Sequence, residues 1–436
     1  MIAHAAHSGI VWHYNRRCRF PPSVPMTDPA DIKKIALEDL RPGMYVHDLD
    51  CGWLQHPFLF NRFKVTDDRM VGKIAAAGIR SLYIDTSRGD DVESAPTQTA
   101  VMRQLQQNIT SLSDLRRIQA EKTISLEEER RRAHKLFREA SQVVANVLHS
   151  ARLGHYAELE RLNPVVEKII DSIFRHNDAL IPLARLKQHD SYTFEHAVAS
   201  AAMMASFARG LGLTRAQIHE VALGAMLQDV GMARVPTTIL EKPDRLNPNE
   251  VAVVRGHVEH SHHIAQELAD LPEATMEVIA QHHERIDGTG YPFRLRGDQI
   301  STHGQMAAIV DVYDAMTSQR PYQGAAAPTA ALRKLYEWGE HHFNAELVQS
   351  FIRSVGIYPV GSLVRMESGM LGVVLEQTSD LLRPVVKIIF NTKTGNYLLP
   401  TVTIRVGRQA GANHGAIVGP ESYARWNIDP SRWIPI

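Results

Sequence analysis

The sequence predicts a mainly α-helical fold, preceded by a small α/β unit and followed by a small β subdomain. From about Asn163 to Val355 apolar residues recur at helical spacing between Gly and Pro breaks, with few strand signals. Runs of strand type are confined to the two flanks. The 436 residues, 44% of them hydrophobic, suffice for two or three packed cores, so neither a disulfide miniprotein nor a disordered chain is in question.

Residues 1–32 lack periodic pattern and carry Pro21, Pro22, Pro25 and Pro29, which predicts a disordered leader, with Met26 an alternative start. Residues 33–92 read as the α/β domain: short runs at Met44-Tyr45-Val46 and Phe58-Leu59-Phe60, a helix around Met70 to Ala77, and a strand at Ser81-Leu82-Tyr83-Ile84. Residues 93–164 read as a linker and one long amphipathic helix. Ser125-x-x-Glu128 has the form of a capping box, and Ala133, Leu136, Phe137, Ala140, Val143, Val144, Val147 and Leu148 follow at helical spacing. The charge run Glu127 to Arg132 reads as a solvated helix start. Residues 165–365 form the helical domain and 366–436 the β subdomain and tail, with strands at Gly372 to Leu375 and Val385 to Phe390 and turns at Glu367-Ser368-Gly369 and Lys393-Thr394-Gly395-Asn396.

Lys plus Arg, 48, balances Asp plus Glu, 48, so no summed positive field exists to hold nucleic acid or an anionic membrane, and any anion must be bound locally. Only Cys18 and Cys51 occur, which supports no disulfide framework and no cysteine zinc site and points to a reducing compartment, the cytoplasm. No run of 18 apolar residues is present to span a membrane.

The 22 histidines direct attention to the helical domain. His196 shares a face with Met203 and Phe207. Asp229, beside Gln228, continues the stripe Ile218, Ala222, Ala225 of a helix opened by Thr214-x-x-Gln217. His257 lies with Val254, Ile264 and Leu268, His282-His283 end a helix whose inner face is Met276, Ile279 and Ala280, and Asp311 interrupts Ala307 to Val312. An unpaired charge in such places costs several kcal/mol. Each alone has an ordinary explanation as a hydrogen-bonded core residue, but four His and two Asp on separate helices match what Mn, Fe or Zn requires. Two such ions about 3.5–4 Å apart can activate a water and stabilise in-line displacement at phosphorus, so the residues predict a metal-dependent phosphohydrolase. His260, His262 and His263 spread around their helix and read as solvated, and His341-His342 as residues favouring a helix end; both groups stay outside the site.

The string His282-His283-Glu284-Arg285-Ile286-Asp287-Gly288-Thr289-Gly290-Tyr291-Pro292 resembles the HD-GYP family of bacterial phosphodiesterases that cleave cyclic di-GMP. Upstream His196, Asp229 and His257 and downstream Asp311 to Tyr322 extend the likeness over about residues 165 to 365, and residues 33–92 look like the small domain of unknown function often placed before it. The resemblance implies an HD-type helical bundle. It also implies one metal position at His196, Asp229 and Asp311 and a second at His257, His282 and His283, bridged by Asp229. A third ion is not expected, because Tyr192 stands where members that hold one have Glu. Iron or manganese is the implied metal and cyclic di-GMP the implied substrate. Asp229, Arg285 and Arg320 fall at catalytic positions, with Arg320 the phosphate clamp. Asp287, Gly288, Gly290, Tyr291, Pro292 and Arg320 form the substrate or partner loop, a surface that resemblance connects with GGDEF-domain or other signalling proteins; a homodimer is a further expectation.

The chain departs from the family pattern. His-Asp-x-Gly-Lys reads Gln228-Asp229-Val230-Gly231-Met232, and Gln323 replaces a residue that is often basic. An amide oxygen is a weak donor, so the first metal position is expected to be weakened and the second better preserved, giving one or two ions. Loss of one transition-state donor typically costs about 2.7–4 kcal/mol. Three readings stay open: a phosphodiesterase of reduced activity yielding linear pGpG or GMP, a non-catalytic descendant that binds metal or cyclic di-GMP and signals to partners, and a hydrolase of another nucleotide.

Overall fold

Strand β1 (Ile32–Ala36) pairs antiparallel with β4 (Ser81–Asp85), which pairs with β2 (Tyr45–Asp48), itself paired with β3 (Phe63–Lys64), in the order β1-β4-β2-β3. The computed structural model describes residues 30–50, 62–112, 124–183, 192–240, 242, 246–268, 270–318, 326–339, 341–407 and 413–434. Most of the expected leader and the Phe58-Leu59-Phe60 run therefore lie outside the described residues, while Ile32, assigned to the leader, is the first residue of β1. Helix α1 (Asp68–Ala76) starts where the Asp67 carboxylate accepts the Met70 amide. Its Ile74 joins Ile35, Val46, Leu82 and Ile84 in a small separate core.

After α2 (Gln98–Ser111) comes α3 (Leu126–Arg152), capped by the Ser125 hydroxyl. Ala133, Phe137, Ala140, Val144, Val147 and Ala151 recur every three or four residues and form its buried stripe. That stripe begins earlier than expected. Glu129, within the run read as solvated, is fully buried, with its carboxylate on the Ser172 hydroxyl and the Arg175 guanidinium, and Arg130 is buried with a bond to the Leu375 carbonyl. Both charges are tolerated inside because partners from distant segments satisfy them.

The helical domain continues through α4 (Asn163–Arg175), α5 (Asn177–Leu180), α6 (Tyr192–Gly210), α7 (Arg215–Leu227), α8 (Thr237–Leu240), α9 (Pro248–Arg255), α10 (His257–Gln266), α11 (Glu273–Gln281), α12 (Thr302–Thr317), α13 (Pro328–Trp338) and α14 (Ala345–Val355). Helix α6 is apolar on every side, as a central helix must be, and packs against α3, α4, α7, α12 and α14. The helix start read at Thr214-x-x-Gln217 is a capping box complete in both directions.

Strands β5 (Leu363–Met366), β6 (Met370–Glu376), β7 (Val385–Asn391), β8 (Asn396–Arg405) and β9 (Ile417–Pro420) form one antiparallel sheet in the order β8-β7-β6-β5-β9. Its alternation serves two cores. Val364, Met366, Val374, Val386, Ile388 and Ile404 face the helices, whereas Leu371, Val373 and Ile389 pack toward Trp426 of α15 (Tyr423–Trp426) and Ile428 just after it. The architecture is thus the predicted one, mainly α with a small sheet at either end. Among the described residues, no helix is long and apolar enough to cross a membrane.

Candidate metal centre

Helix α6 delivers His196, only 4% exposed, into the centre of the bundle. Its Nδ1 lies 2.6 Å from Asp314 Oδ2, and its Nε2 lies 3.2 Å from Asp229 Oδ2 and 3.3 Å from Asp311 Oδ1. Burial pushes the imidazole toward its neutral form, but the three carboxylates more than offset this and hold its pKa well above the ordinary value. The same contacts act on Asp229: burial pushes its carboxyl up, and His196 and His257 bring it well below the carboxylate range.

Asp229 does not continue α7 as its stripe suggested. The helix ends at Leu227, and Asp229 precedes a short 3-10 turn over Val230–Arg234. That turn is seated on α10 at Gly231, whose amide donates to the Ser261 hydroxyl at 2.8 Å. A Cβ at this glycine would stand 2.1 Å from the His257 carbonyl oxygen and 2.4 Å from the Ser261 nitrogen. Only glycine permits so close an approach, which places Asp229 Oδ1 3.1 Å from His257 Nε2.

His257 opens α10 just after a break at Gly256 rather than lying mid-helix, and His282 follows the last residue of α11. Each ring donates from Nδ1 to a backbone carbonyl one turn back, Val254 at 2.7 Å and Ile279 at 2.9 Å. A neutral ring that donates from Nδ1 keeps its lone pair on Nε2, and these two Nε2 atoms lie 3.4 Å apart on the side of Asp229. His283 stacks on Tyr291 at 4.6 Å and places Nδ1 3.5 Å from Asp311 Oδ2. Burial, followed by the neighbouring histidines, lowers the pKa of both His282 and His283, well below the ordinary value for His283, and so favours the uncharged ligand form.

One ligand atom from each of Asp229, His257, His282 and His283 lies within 4.8 Å of the others. Asp229 thus spans two donor groups, its Oδ2 toward His196 and its Oδ1 toward His257 and His282. Imidazole nitrogens with carbonyl-anchored opposite edges, together with carboxylates, suit a divalent transition metal. Gln228 is 1% exposed, and its Nε2 is a buried donor without a hydrogen-bond partner. This marks the place where the amide fits its surroundings poorly.

The loop from Glu284 to Arg296 closes one side. Glu284, 1% exposed, accepts the amides of Phe293, Arg294 and Leu295 at 2.7, 3.2 and 3.0 Å. Gly288 has φ +79°, and a Cβ at Gly290 would stand 2.5 Å from the Arg285 nitrogen and the Glu284 Cα. Tyr291 and Pro292 complete the turn, with Arg255 over the Tyr291 ring at 4.9 Å. Asp287 accepts the amide and hydroxyl of Thr289 and faces His342 Nδ1 at 2.9 Å. Arg285 is buried behind the loop, donating to the Glu284 carbonyl and lying over Phe343.

The structure brings together His196, Asp229, His257, His282, His283 and Asp311, and it sets Tyr291 beside them. Arg320 and Gln323 lie outside the described residues, as does the side chain of Tyr192. Three features escaped the sequence reading. Asp314 holds His196, and its position one turn after Asp311 was the available signal. Glu284 holds the loop. His342, left outside the site as a helix-end residue, instead touches Asp287, because the chain folds back beside the loop after α13. His260 and His262 are half-buried rather than solvated, since α10 packs against the 3-10 turn.

An imidazole and carboxylate cluster at the centre of a helical bundle, with the Asp on the turn after one helix and a His pair after another, defines an HD-type domain, and the HD domain family matches residues 167–347. Residues 32–162 match DUF3391, a domain of unknown function. Taken with the Gly-Tyr-Pro loop and a relative that it matches over nine-tenths of its length, this chain belongs to the HD-GYP family. It is 36% identical over 399 residues to the cyclic di-GMP phosphodiesterase PA4108 of Pseudomonas aeruginosa, covering 91% of this chain and 94% of that protein. It is 34% identical over 139 residues to the 3'3'-cGAMP-specific phosphodiesterase 2 of Vibrio cholerae, covering 32% of this chain and 27% of that one. Among solved structures, Bd1817, an HDG"Y"P protein from Bdellovibrio bacteriovorus, is similar with a TM-score of 0.44 at 17% identity over 74% of this chain and 98% of that one.

Proposed function

We propose that this chain is a divalent-metal-dependent cyclic di-GMP phosphodiesterase of reduced activity, yielding linear pGpG or GMP. One observation carries the reading: Asp229 lies between His196 on one side and the paired Nε2 atoms of His257 and His282 on the other, the arrangement a bridging carboxylate needs. The full-length likeness to a relative named for this activity supports the substrate.

His257, His282, His283 and Asp229 would hold the better-preserved position, and His196, Asp229 and Asp311 the weaker one. Iron or manganese suits the donor set. When bound, such ions polarise a phosphodiester oxygen and make a water nucleophilic near neutral pH. The chain's own residues do the rest. Asp314 orients His196, the two backbone carbonyls orient His257 and His282, and Tyr291 shields one face of His283. Arg320 is assigned the phosphate contact from the family motif. With Gln228 and Met232 replacing a ligand and a cation, fewer charges meet the substrate. Phe293, 52% exposed on the loop, offers an apolar point for a GGDEF-domain or similar signalling partner.

Elemental analysis and cyclic di-GMP hydrolysis on one anaerobically Fe(II)- or Mn(II)-loaded preparation test this reading. The expected result is close to one ion per chain with slow turnover, rising when Gln228→His and Met232→Lys are combined. Absence of hydrolysis in both proteins would overturn it, and tight binding of cyclic di-GMP without turnover would select the sensor reading instead.

A further inference from the structure

We propose that the N-terminal domain is a positioning element for the Gly-Tyr-Pro loop, acting through His342. Three sets of contacts converge on that loop from a sheet more than two hundred residues upstream.

The first is a buried charge cluster. Lys34 of β1 pairs with Glu337 of α13, and the Tyr83 hydroxyl of β4 donates to the same carboxylate at 3.1 Å. Lys334 of α13 lies 3.3 Å from both Asp48 and Asp50, and the Trp338 indole N–H donates to the Asp50 carbonyl at 2.9 Å. The side chains of Asp50 and Glu337 are 4% and 5% exposed. Charges this deeply buried tolerate one arrangement of partners, so they fix the register in which the domain sits on α13.

The second is steric. Gly78, in the turn between α1 and β4, is pressed against the loop itself, where a Cβ would stand 2.6 Å from Thr289 Cγ2. Thr289 is the residue whose amide and hydroxyl cap Asp287.

The third links the cluster to the loop. The Trp338 ring stands edge-on to His342 at 6.4 Å, the His342 carbonyl accepts the Ile286 amide at 3.1 Å, and His342 Nδ1 meets Asp287. Asp287 therefore has the N-terminal domain on one side through Thr289 and on the other through His342. Four residues later in the chain, Tyr291 stacks on His283 of the candidate metal centre. The contacts of His342 run to Asp287, Ile286 and Trp338 and not to the candidate metal ligands, so its role is to hold Asp287.

Hydrogen exchange on the full chain tests this without recourse to turnover, so its failure is separable from failure of the phosphodiesterase reading, on which only the kinetic arm rests. The variants are Asp50→Ala on the sheet side, Trp338→Phe, which keeps an aromatic ring of smaller size but removes the N–H, and His342→Ala. Each is expected to raise exchange of the 286–290 amides by about tenfold, with α7 and α10 unchanged, and Asp50→Ala combined with His342→Ala should exchange within about twofold of His342→Ala alone. Turnover should fall in kcat with KM and metal content retained, and His342→Gln, whose amide can still reach Asp287, should recover part of it. Unchanged loop exchange in both Asp50→Ala and Trp338→Phe would overturn the proposal, as would additive effects in the double variant or a rise spread evenly over the bundle.

Discussion

Asp314→Asn isolates the proposed weaker metal position. Asp314 has no exposed surface, and its Oδ2 lies 2.6 Å from His196 Nδ1, while the opposite nitrogen of the ring faces Asp229 and Asp311. The substitution preserves shape and removes charge. A buried hydrogen bond to a charged partner contributes about 1.5–3 kcal/mol. Loss of an outer partner of a metal-bound imidazole typically weakens metal binding by about 10–100-fold, which is about 1.4–2.7 kcal/mol. The two estimates, reached separately, agree. Titration of chelator-stripped protein with Mn(II), followed by calorimetry and by the spectrum of free ion, should show the weaker event shifted by about that factor. The event assigned to His257, His282 and His283 should stay where it is, since the Nδ1 atoms of His257 and His282 rest on backbone carbonyls that the substitution leaves alone and His283 Nδ1 faces Asp311, not Asp314. An unshifted weak event, or equal loss at both, would refute the assignment of His196 to a position of its own.

Gly231→Ala forces a methyl group to within 2.1 Å of a backbone oxygen, so the 3-10 turn must lift from α10. Overpacking of this kind costs about 1–3 kcal/mol, and the thermal midpoint and the strong Mn(II) event should both fall; a normal metal titration would contradict the geometry given for Asp229. Burial, with Glu337 beside it, raises the Asp50 carboxyl to about 6 despite Lys334 and Lys34. Because this folded-state value lies above the unfolded one, the contribution of Asp50 is full below the ordinary carboxylate pKa and is lost as pH rises through about 6. Acidifying from pH 7 to 5 should therefore narrow the melting deficit of the wild-type chain relative to Asp50→Asn, and parallel pH profiles would exclude this role for Asp50. Glu284→Gln exchanges an anionic acceptor of three amides for a neutral one with a misplaced donor, at a cost of about 1.5–3 kcal/mol. Proteolysis after Phe293 or Arg294 should accelerate, and unchanged cleavage would mean the loop is held by other contacts.

Helical periodicity made most of the centre legible. His196, His257 and Asp311 interrupt apolar stripes, and a stripe reports burial whatever the tertiary fold, so their inward placement followed from local pattern. What the pattern lacked was anything settled by contact between distant segments. Glu129 and Arg130 look like an ordinary charged first turn, and only Ser172, Arg175 and the Leu375 carbonyl, brought in by other elements, show them to be interior. His342 belongs to no stripe, and its meeting with Asp287 depends on how the chain returns after α13. Asp229 was placed correctly for an incomplete reason: α7 stops two residues earlier, and the direction of its carboxylate comes from the seat of Gly231 on α10. Strands β8 and β9 escaped notice because β8 alternates weakly, with most of its residues outside the core, and is defined by its pairing with β7.

Glu284 stands next to two candidate ligands, yet both of its oxygens are committed to amides of its own loop. Three of its roughly four acceptor positions are filled from within the loop, which turns the carboxylate toward its own backbone. What it contributes is rigidity in advance: the wall beside the histidines stands finished before anything arrives. Whatever enters must adapt to that wall, and selectivity at this edge will track the shape of the visitor more than any closing motion of the protein.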